Sequence, residues 1–217
     1  MEIRSDPQII GEIDLTDQVR ACFEPLTKEV AGHGDYIVRN LRKPDHAQPQ
    51  KVANVLANFD ECLIRPIVNV IEGIGKRILD VDYRCNMERA NELERYKDID
   101  TTEDLDRLRY GVARTDLLYH VDPFDQVLFT YGSDIADTDC VAGVVPCEGI
   151  DLEFLNLSLP QMHLATRRAL ETGAARKFVA KNGQLLYLRK NLDIHRKQLS
   201  RANGPRHLLS FILEDLR

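Results

Sequence analysis

The sequence is poor in the features that announce a specific chemistry. No apolar run approaches the roughly 18–20 residues needed to cross a bilayer. The strongest candidate, Cys62 to Ile74, is broken by Arg65, Pro66, Asn69, Glu72 and Gly73. The N-terminus, Met1-Glu2-Ile3-Arg4-Ser5-Asp6, lacks the basic start and apolar core of a signal peptide. There is no Cys-x-x-Cys, no Cys/His cluster at zinc-finger spacing, no phosphate-binding loop, no Gly-x-Gly-x-x-Gly and no internal repeat. No Ser/His/Asp or Cys/His arrangement stands out. The expectation is a cytoplasmic protein, or an extracytoplasmic one if the chain is an excised domain. It reads as a binding module more than an enzyme, with no cofactor and no nameable catalytic residue.

The five cysteines, Cys22, Cys62, Cys85, Cys140 and Cys147, are odd in number and widely spaced, which suits free thiols in a reducing compartment. Cys140 and Cys147 could pair if the domain is exported. The net charge of −6 hides an asymmetry. Residues 167–206 hold eleven Lys/Arg against two acids, Glu171 and Asp193, whereas the remainder holds eighteen against thirty-three. The basic segment is suited to an anion or a nucleic acid, or simply balances the acidic body.

Hydropathy periodicity predicts a helix over residues 15–32, a turn or two over 36–41 and a linker over 44–49. The strongest signal is residues 50–72, where Val52, Val55, Leu56, Phe59, Leu63, Ile67, Val70 and Ile71 form a helical stripe. Pro66 predicts a kink near Cys62 or Leu63. A charged helix over 84–98 and a helix opened by Thr101 and Asp104 follow. The period then changes. Residues 117–121 and 127–131 alternate around the turn Asp122-Pro123-Phe124-Asp125 and read as a β-hairpin. Residues 133–150 read as loop, with a strand possible at Val141–Val145. Helix 160–172 precedes a second hairpin, 176–181 and 184–190, around Asn182-Gly183, pairing Ala180 with Leu185 and Phe178 with Tyr187. Residues 207–216 could be strand or helix.

Few motifs carry chemistry. Ile71-Glu72-Gly73-Ile74-Gly75-Lys76-Arg77 resembles the phosphate-binding turn of helix-hairpin-helix modules, or is a glycine stop after a helix. His120-x-Asp122 places an imidazole and a carboxylate on one face of a strand, where they could bind metal or relay protons. No second ligand pair is evident, and His195 and the Arg201/His207 pair are weaker signals. Helix 160–172 followed by a basic hairpin has the order of a winged helix, with Arg167, Arg168, Lys177 and Lys181 toward phosphates.

Three segments resemble the Cache/PAS superfamily of sensor domains: Thr115 to Pro123 with Val127 to Tyr131; Arg168-Ala169-Leu170-Glu171-Thr172-Gly173; and Lys181 to Leu188 with His207 to Leu216 as last strand. The resemblance spans residues 115–216. It implies an α+β fold, with long N-terminal helices (1–114) packed on a C-terminal antiparallel sheet (115–217), as one compact unit. It also implies a sensory module recognising a small anionic metabolite and signalling by helix–sheet repacking. The binding residues would be Arg114, Tyr119, His120, Tyr131, Arg168, Tyr187 and Arg189. The alternatives are a nucleic-acid-binding regulator using 160–190 and a homodimerising adaptor using the 50–72 helix.

Overall fold

A computed structural model describes residues 2–33, 36–39, 41, 49–88, 96, 99, 101, 103–104, 117–132, 137–147, 155–199 and 204–215. The described elements run β1 (Glu2–Ser5), β2 (Gln8–Glu12), α1 (Asp17–His33), β3 (Tyr36–Val38), α2 (Pro49–Phe59), a π-helical turn (Asp60–Ile64), α3 (Arg65–Gly73) and β4 (Lys76–Glu88). They continue with β5 (Gln126–Gly132), β6 (Thr138–Pro146), α4 (Leu155–Thr172), β7 (Ala175–Ala180), β8 (Gln184–Leu188), β9 (His195–Lys197) and β10 (Gly204–Asp215). Two antiparallel sheets result. One has six strands in the order β2-β8-β5-β10-β4-β3; the other has β1-β6-β7, with β9 also paired to β6.

Period-two patterning assigns the faces. In β4, Val81, Tyr83 and Cys85 alternate with Asp80, Asp82, Arg84 and Asn86; in β10, His207, Leu209, Phe211 and Leu213 alternate with Arg206, Leu208, Ser210 and Ile212. Val81, Tyr83, Cys85, Leu209 and Phe211 are buried with Phe23, Val55, Phe59, Leu63, Ile67 and Ile71 of the α1–α3 layer. Each of those helical side chains contributes about 1.5–3 kcal/mol on full burial. The opposite face of the six-stranded sheet meets the four-stranded sheet: Leu128, Leu186, Leu188 and Leu208 pack with Cys140, Phe178 and Ala180. The far side of the four-stranded sheet, Val141, Val145, Ala175 and Ile194, is covered by Met162 and Ala169 of α4. The order is therefore helices, six-stranded sheet, four-stranded sheet, helix, a jelly-roll-like arrangement of facing sheets.

The α+β architecture of long N-terminal helices on one C-terminal sheet is overturned by this topology. Strands from before residue 89 pair with strands after residue 125, with β4 beside β10 over Lys76–Glu88 and Gly204–Asp215. The region expected as a charged helix from residue 84 opens inside β4, because its charged side chains are one face of an alternating strand rather than the solvent side of a helix. The rest of that helix, and most of the one opened by Thr101 and Asp104, lie outside the described residues. The capping box itself is formed: Asp104 N–H donates to Thr101 Oγ1 at 3.2 Å and Thr101 N–H to Asp104 Oδ2 at 3.1 Å.

Neither expected hairpin forms. Residues 117–122 leave β5 and join the other sheet through a bridge between His120 and His195, so the Asp122–Asp125 turn crosses between sheets. Asn182-Gly183 crosses too, since β7 pairs with β6 and β8 with β5 and β2. Gly183 sits at φ +88°, the left-handed turn conformation glycine tolerates. Asp137 fixes this corner by accepting from the Asn182 backbone N–H at 2.8 Å. Val141–Val145 lies within β6, a nine-residue strand where mostly loop was expected. Of the 207–216 segment, residues 207–215 belong to the central strand β10, and residue 216 lies outside the described residues.

The 50–72 stripe is helical as expected. Its irregularity is the π-helical turn immediately before Pro66, which absorbs the backbone bond that proline cannot make. The stripe is buried within the chain's own core. The cysteine expectation is corrected in part. Cys22 of α1 is joined to Cys62 of the π-helical turn by a disulfide, whereas Cys85, Cys140 and Cys147 are buried thiols. Among the described residues no helix is long and apolar enough to cross a membrane.

Candidate metal centre

His120 and His195 are brought together by backbone pairing. His120 N–H donates to His195 C=O at 3.0 Å, and His195 N–H returns the bond to His120 C=O at 3.0 Å. A reciprocal antiparallel pair sets its two side chains side by side on one face, and the imidazole centroids are 4.4 Å apart. Asp122, two residues beyond His120, returns to the same face. The donor atoms of His120, Asp122 and His195 all lie within 4.8 Å of one another.

The tautomers follow from the hydrogen bonds. His120 Nδ1 lies 2.7 Å from Leu118 C=O, and His195 Nδ1 lies 3.1 Å from Asp193 C=O. A carbonyl only accepts, so each Nδ1 carries the proton and, in the neutral ring, each Nε2 is the unprotonated nitrogen. Those Nε2 atoms face Asp122: His195 Nε2 is 3.2 Å from Oδ2 and His120 Nε2 is 4.0 Å from Oδ1. Lone pairs facing a carboxylate call for a cation between them, either a proton on the ring or a metal ion. Burial alone would raise the Asp122 carboxyl; the His195 contact, the His120 charge and a Gln126 hydrogen bond outweigh it and hold the group well below the usual carboxylate range. The His120 and Asp122 side chains are 14% and 26% exposed, against 5% for His195, so the cluster opens on one side.

Strand register places the cluster. His195 pairs with Cys140, whose side chain lies in the core between the sheets, so His195 and Lys197 face inward. The same register turns Arg206 and Ser210 of β10 inward beside Leu208. Arg206 and Lys197 are both buried.

The other residues expected to bind ligand are not gathered here. Tyr119 points to the α4 side, with the Arg196 guanidinium 4.3 Å over its ring. Tyr131 stacks on Phe23 at 4.4 Å, on the helix side of the six-stranded sheet. Arg168 is exposed on α4. Tyr187 OH donates to Asp125 at 3.3 Å, and Arg189 is held by Asp193 at 2.7 Å. Arg114 lies outside the described residues. His207 is a core residue between Tyr83 and Thr27, and its expected partner Arg201 is not described.

The nucleic-acid readings are also overturned. Lys76 is paired with Asp125 at 2.8 Å and Asp215 at 2.7 Å, and Arg77 with Glu214. Lys177 is bound to Asp139 at 2.9 Å and Lys181 to Asp137 at 3.4 Å, and α4 lies on a sheet instead of beside a wing.

No family model matches this chain, and no curated protein does. Solved structures with some likeness include a 2OG-Fe(II) oxygenase family oxidoreductase from Burkholderia pseudomallei. It is 12% identical with a TM-score of 0.41, over 92% of this chain and 78% of that one. Another is HygX from Streptomyces hygroscopicus with nickel, 2-oxoglutarate and hygromycin B bound: 11% identical, TM-score 0.44, over 97% and 83%. A third is NgTET1 in complex with 5mC DNA: 11% identical, TM-score 0.39, over 91% and 67%. With two facing sheets in place of one curved sheet, the Cache/PAS resemblance and the sensor function built on it are withdrawn.

Proposed function

We propose that this chain is a non-haem Fe(II)-dependent oxygenase whose metal is held by Nε2 of His120, a carboxylate oxygen of Asp122 and Nε2 of His195. One observation carries the proposal: two imidazoles, each oriented by Nδ1–H on a backbone carbonyl, turn Nε2 toward one carboxylate, with all donors within 4.8 Å of one another. Two histidines and one carboxylate with open remaining positions are the donor set of non-haem Fe(II) oxygenases. Bound there, Fe(II) would supply the binding and reduction of dioxygen.

The chain's own residues would do the rest. The carbonyls of Leu118 and Asp193 would fix the Nδ1–H tautomer and the orientation of both rings. Asp122 contributes one negative charge, leaving a divalent ion with net positive charge toward an anionic co-substrate. Arg206 and Lys197, buried on inward faces, supply cationic ends suited to a carboxylate. Inserting one oxygen atom into a C–H bond leaves the second atom to be reduced. A 2-oxo acid balances this, since R–H, O₂ and R′COCOO⁻ give R–OH, R′COO⁻ and CO₂. Substrate would approach from the side of His120 and Asp122, the more exposed members.

The test is anaerobic titration with Fe(II), then with 2-oxoglutarate. One equivalent of Fe(II) should bind, and 2-oxoglutarate should then produce a visible charge-transfer band that His195→Ala lacks. Absence of Fe(II) binding, or binding that survives both His120→Ala and His195→Ala, would overturn the proposal.

A further inference from the structure

One buried side chain reaches the Asp122 carboxylate from the opposite sheet. Gln126, the first residue of β5, is 2% exposed. Its Nε2 donates to Asp122 Oδ2. Its Oε1 accepts from Ser210 Oγ at 2.6 Å, on the neighbouring strand β10. The amide orientation is forced, because a carboxylate can only accept and so must meet the NH₂ end. That leaves the carbonyl end for the serine hydroxyl, which donates. The chain Ser210–Gln126–Asp122 thus runs in one direction, from the six-stranded sheet to the candidate metal ligand.

We propose that Gln126, itself held by Ser210, is a positioning residue that holds the Asp122 carboxylate turned toward both His120 and His195. The inference rests on the oxygenase reading above and deepens it. Asp122 arrives at the cluster by way of the crossing turn 122–125, whose residue Pro123 is exposed, so the strand alone does not fix its carboxylate. Gln126 does so from four residues further on, where the chain has already entered the other sheet. The hydrogen bond fixes the turn of the carboxylate, which sets Oδ2 3.2 Å from His195 Nε2 and Oδ1 4.0 Å from His120 Nε2. Ser210 acts through Gln126: it removes the freedom of the amide to rotate away. Groups of this kind outside the first ring of ligands are typically worth ~10–100-fold in metal affinity.

The experiment uses the whole chain with Co(II) as probe, read by its visible d–d spectrum and by affinity in anaerobic calorimetry. Gln126→Leu should weaken Co(II) binding about 10–100-fold and change the spectrum, as the carboxylate is freed to turn away from the histidines. Ser210→Ala should weaken it several-fold, Ser210→Thr should restore it, and Ser210→Ala should have no added effect in the Gln126→Leu background. A purely structural role would lower thermal stability and leave the spectrum of the folded fraction unchanged. If wild type binds Co(II), loses it on His195→Ala, and yet Gln126→Leu has wild-type affinity and spectrum, the positioning proposal is wrong and the metal site stands. If wild type binds no metal, the oxygenase reading fails and this inference with it. Should Gln126→Leu not fold, Ser210→Ala and Ser210→Thr decide alone: equal affinities for the two would overturn the relay.

Discussion

The space between the sheets and the helix-covered faces outside them each hold a pair of buried or half-buried histidines, and the pairs differ in what their nitrogens touch. Outside, His207 sits with Nδ1 2.8 Å from Tyr83 OH and Nε2 3.0 Å from Thr27 Oγ1. His163 accepts the Tyr119 N–H at 3.0 Å. These partners are neutral hydroxyls and an amide, and burial pushes both residues down to about 4. Inside, His120 and His195 use one nitrogen on a carbonyl and aim the other at a shared carboxylate. A core histidine ends in neutral partners; a ligand histidine leaves a lone pair facing charge.

The largest effect should come from breaking the inner pair. His195→Ala or His120→Ala should reduce Fe(II) affinity by about 100-fold or more by removing a direct ligand, while His207→Gln stays within about 2-fold of wild type. At Fe(II) a hundred times Kd, wild type should gain about 2.7 kcal/mol, or roughly 5–10 °C in Tm, and His195→Ala none. A metal-dependent shift of equal size in the alanine variant would erase the distinction between the pairs.

The outer pair should answer in stability instead. His207→Ala leaves the Tyr83 hydroxyl without its histidine partner and opens a void beside Phe23 and Tyr131. Urea unfolding should register a loss of about 2–4 kcal/mol, with metal affinity unchanged.

Acid should expose the same pair. Their folded values of about 4 lie below the ordinary imidazole value of 6.5, so between those pH values the unfolded chain binds more protons than the folded one. Stability then rises with pH across that window and is lost as pH falls from about 6.5 toward 4. Above 6.5 both rings are neutral in either state and contribute no slope. The slope should flatten when His163 and His207 are both changed to Gln, as measured by unfolding at several pH values. An unaltered slope would show that these histidines do not bear the acid response.

Parts of this were legible in the sequence. The 50–72 stripe and its break at Pro66 depend only on neighbours within two turns, and local pattern reads such features. His120-x-Asp122 was legible for the same reason, as two residues on one extended segment. His195 was not: its partner lies far along the chain, and only the pairing of backbone segments joins them. No spacing rule marks that contact. The end of β4 was misread because Arg84 and Asn86 make one polar face of the strand, so alternation over a few residues resembled the start of a charged helix. Asn182-Gly183 specifies a tight turn, but turn chemistry does not say whether the strands it joins pair with each other or enter different sheets. Gln126 could not be singled out, since a lone glutamine in an apolar strand acquires meaning only once Asp122 and Ser210 are placed beside it.

The smallest expected effect tests where the boundary between the two regions falls. His163 belongs to the outer pair, yet the amide it accepts is that of Tyr119, the residue before His120. Removing the acceptor loosens the backbone just ahead of one ligand and leaves the reciprocal His120–His195 pairing intact. His163→Ala should therefore reduce Fe(II) affinity only about 2–5-fold, below the usual ~10–100-fold for groups that touch a ligand side chain directly. His163→Gln, which can still offer an acceptor to the amide, should recover most of it. A loss as large as that expected of Gln126→Leu would mean that the strand bridge alone does not hold His120. The helix-covered histidine would then have to be counted with the site instead of the core.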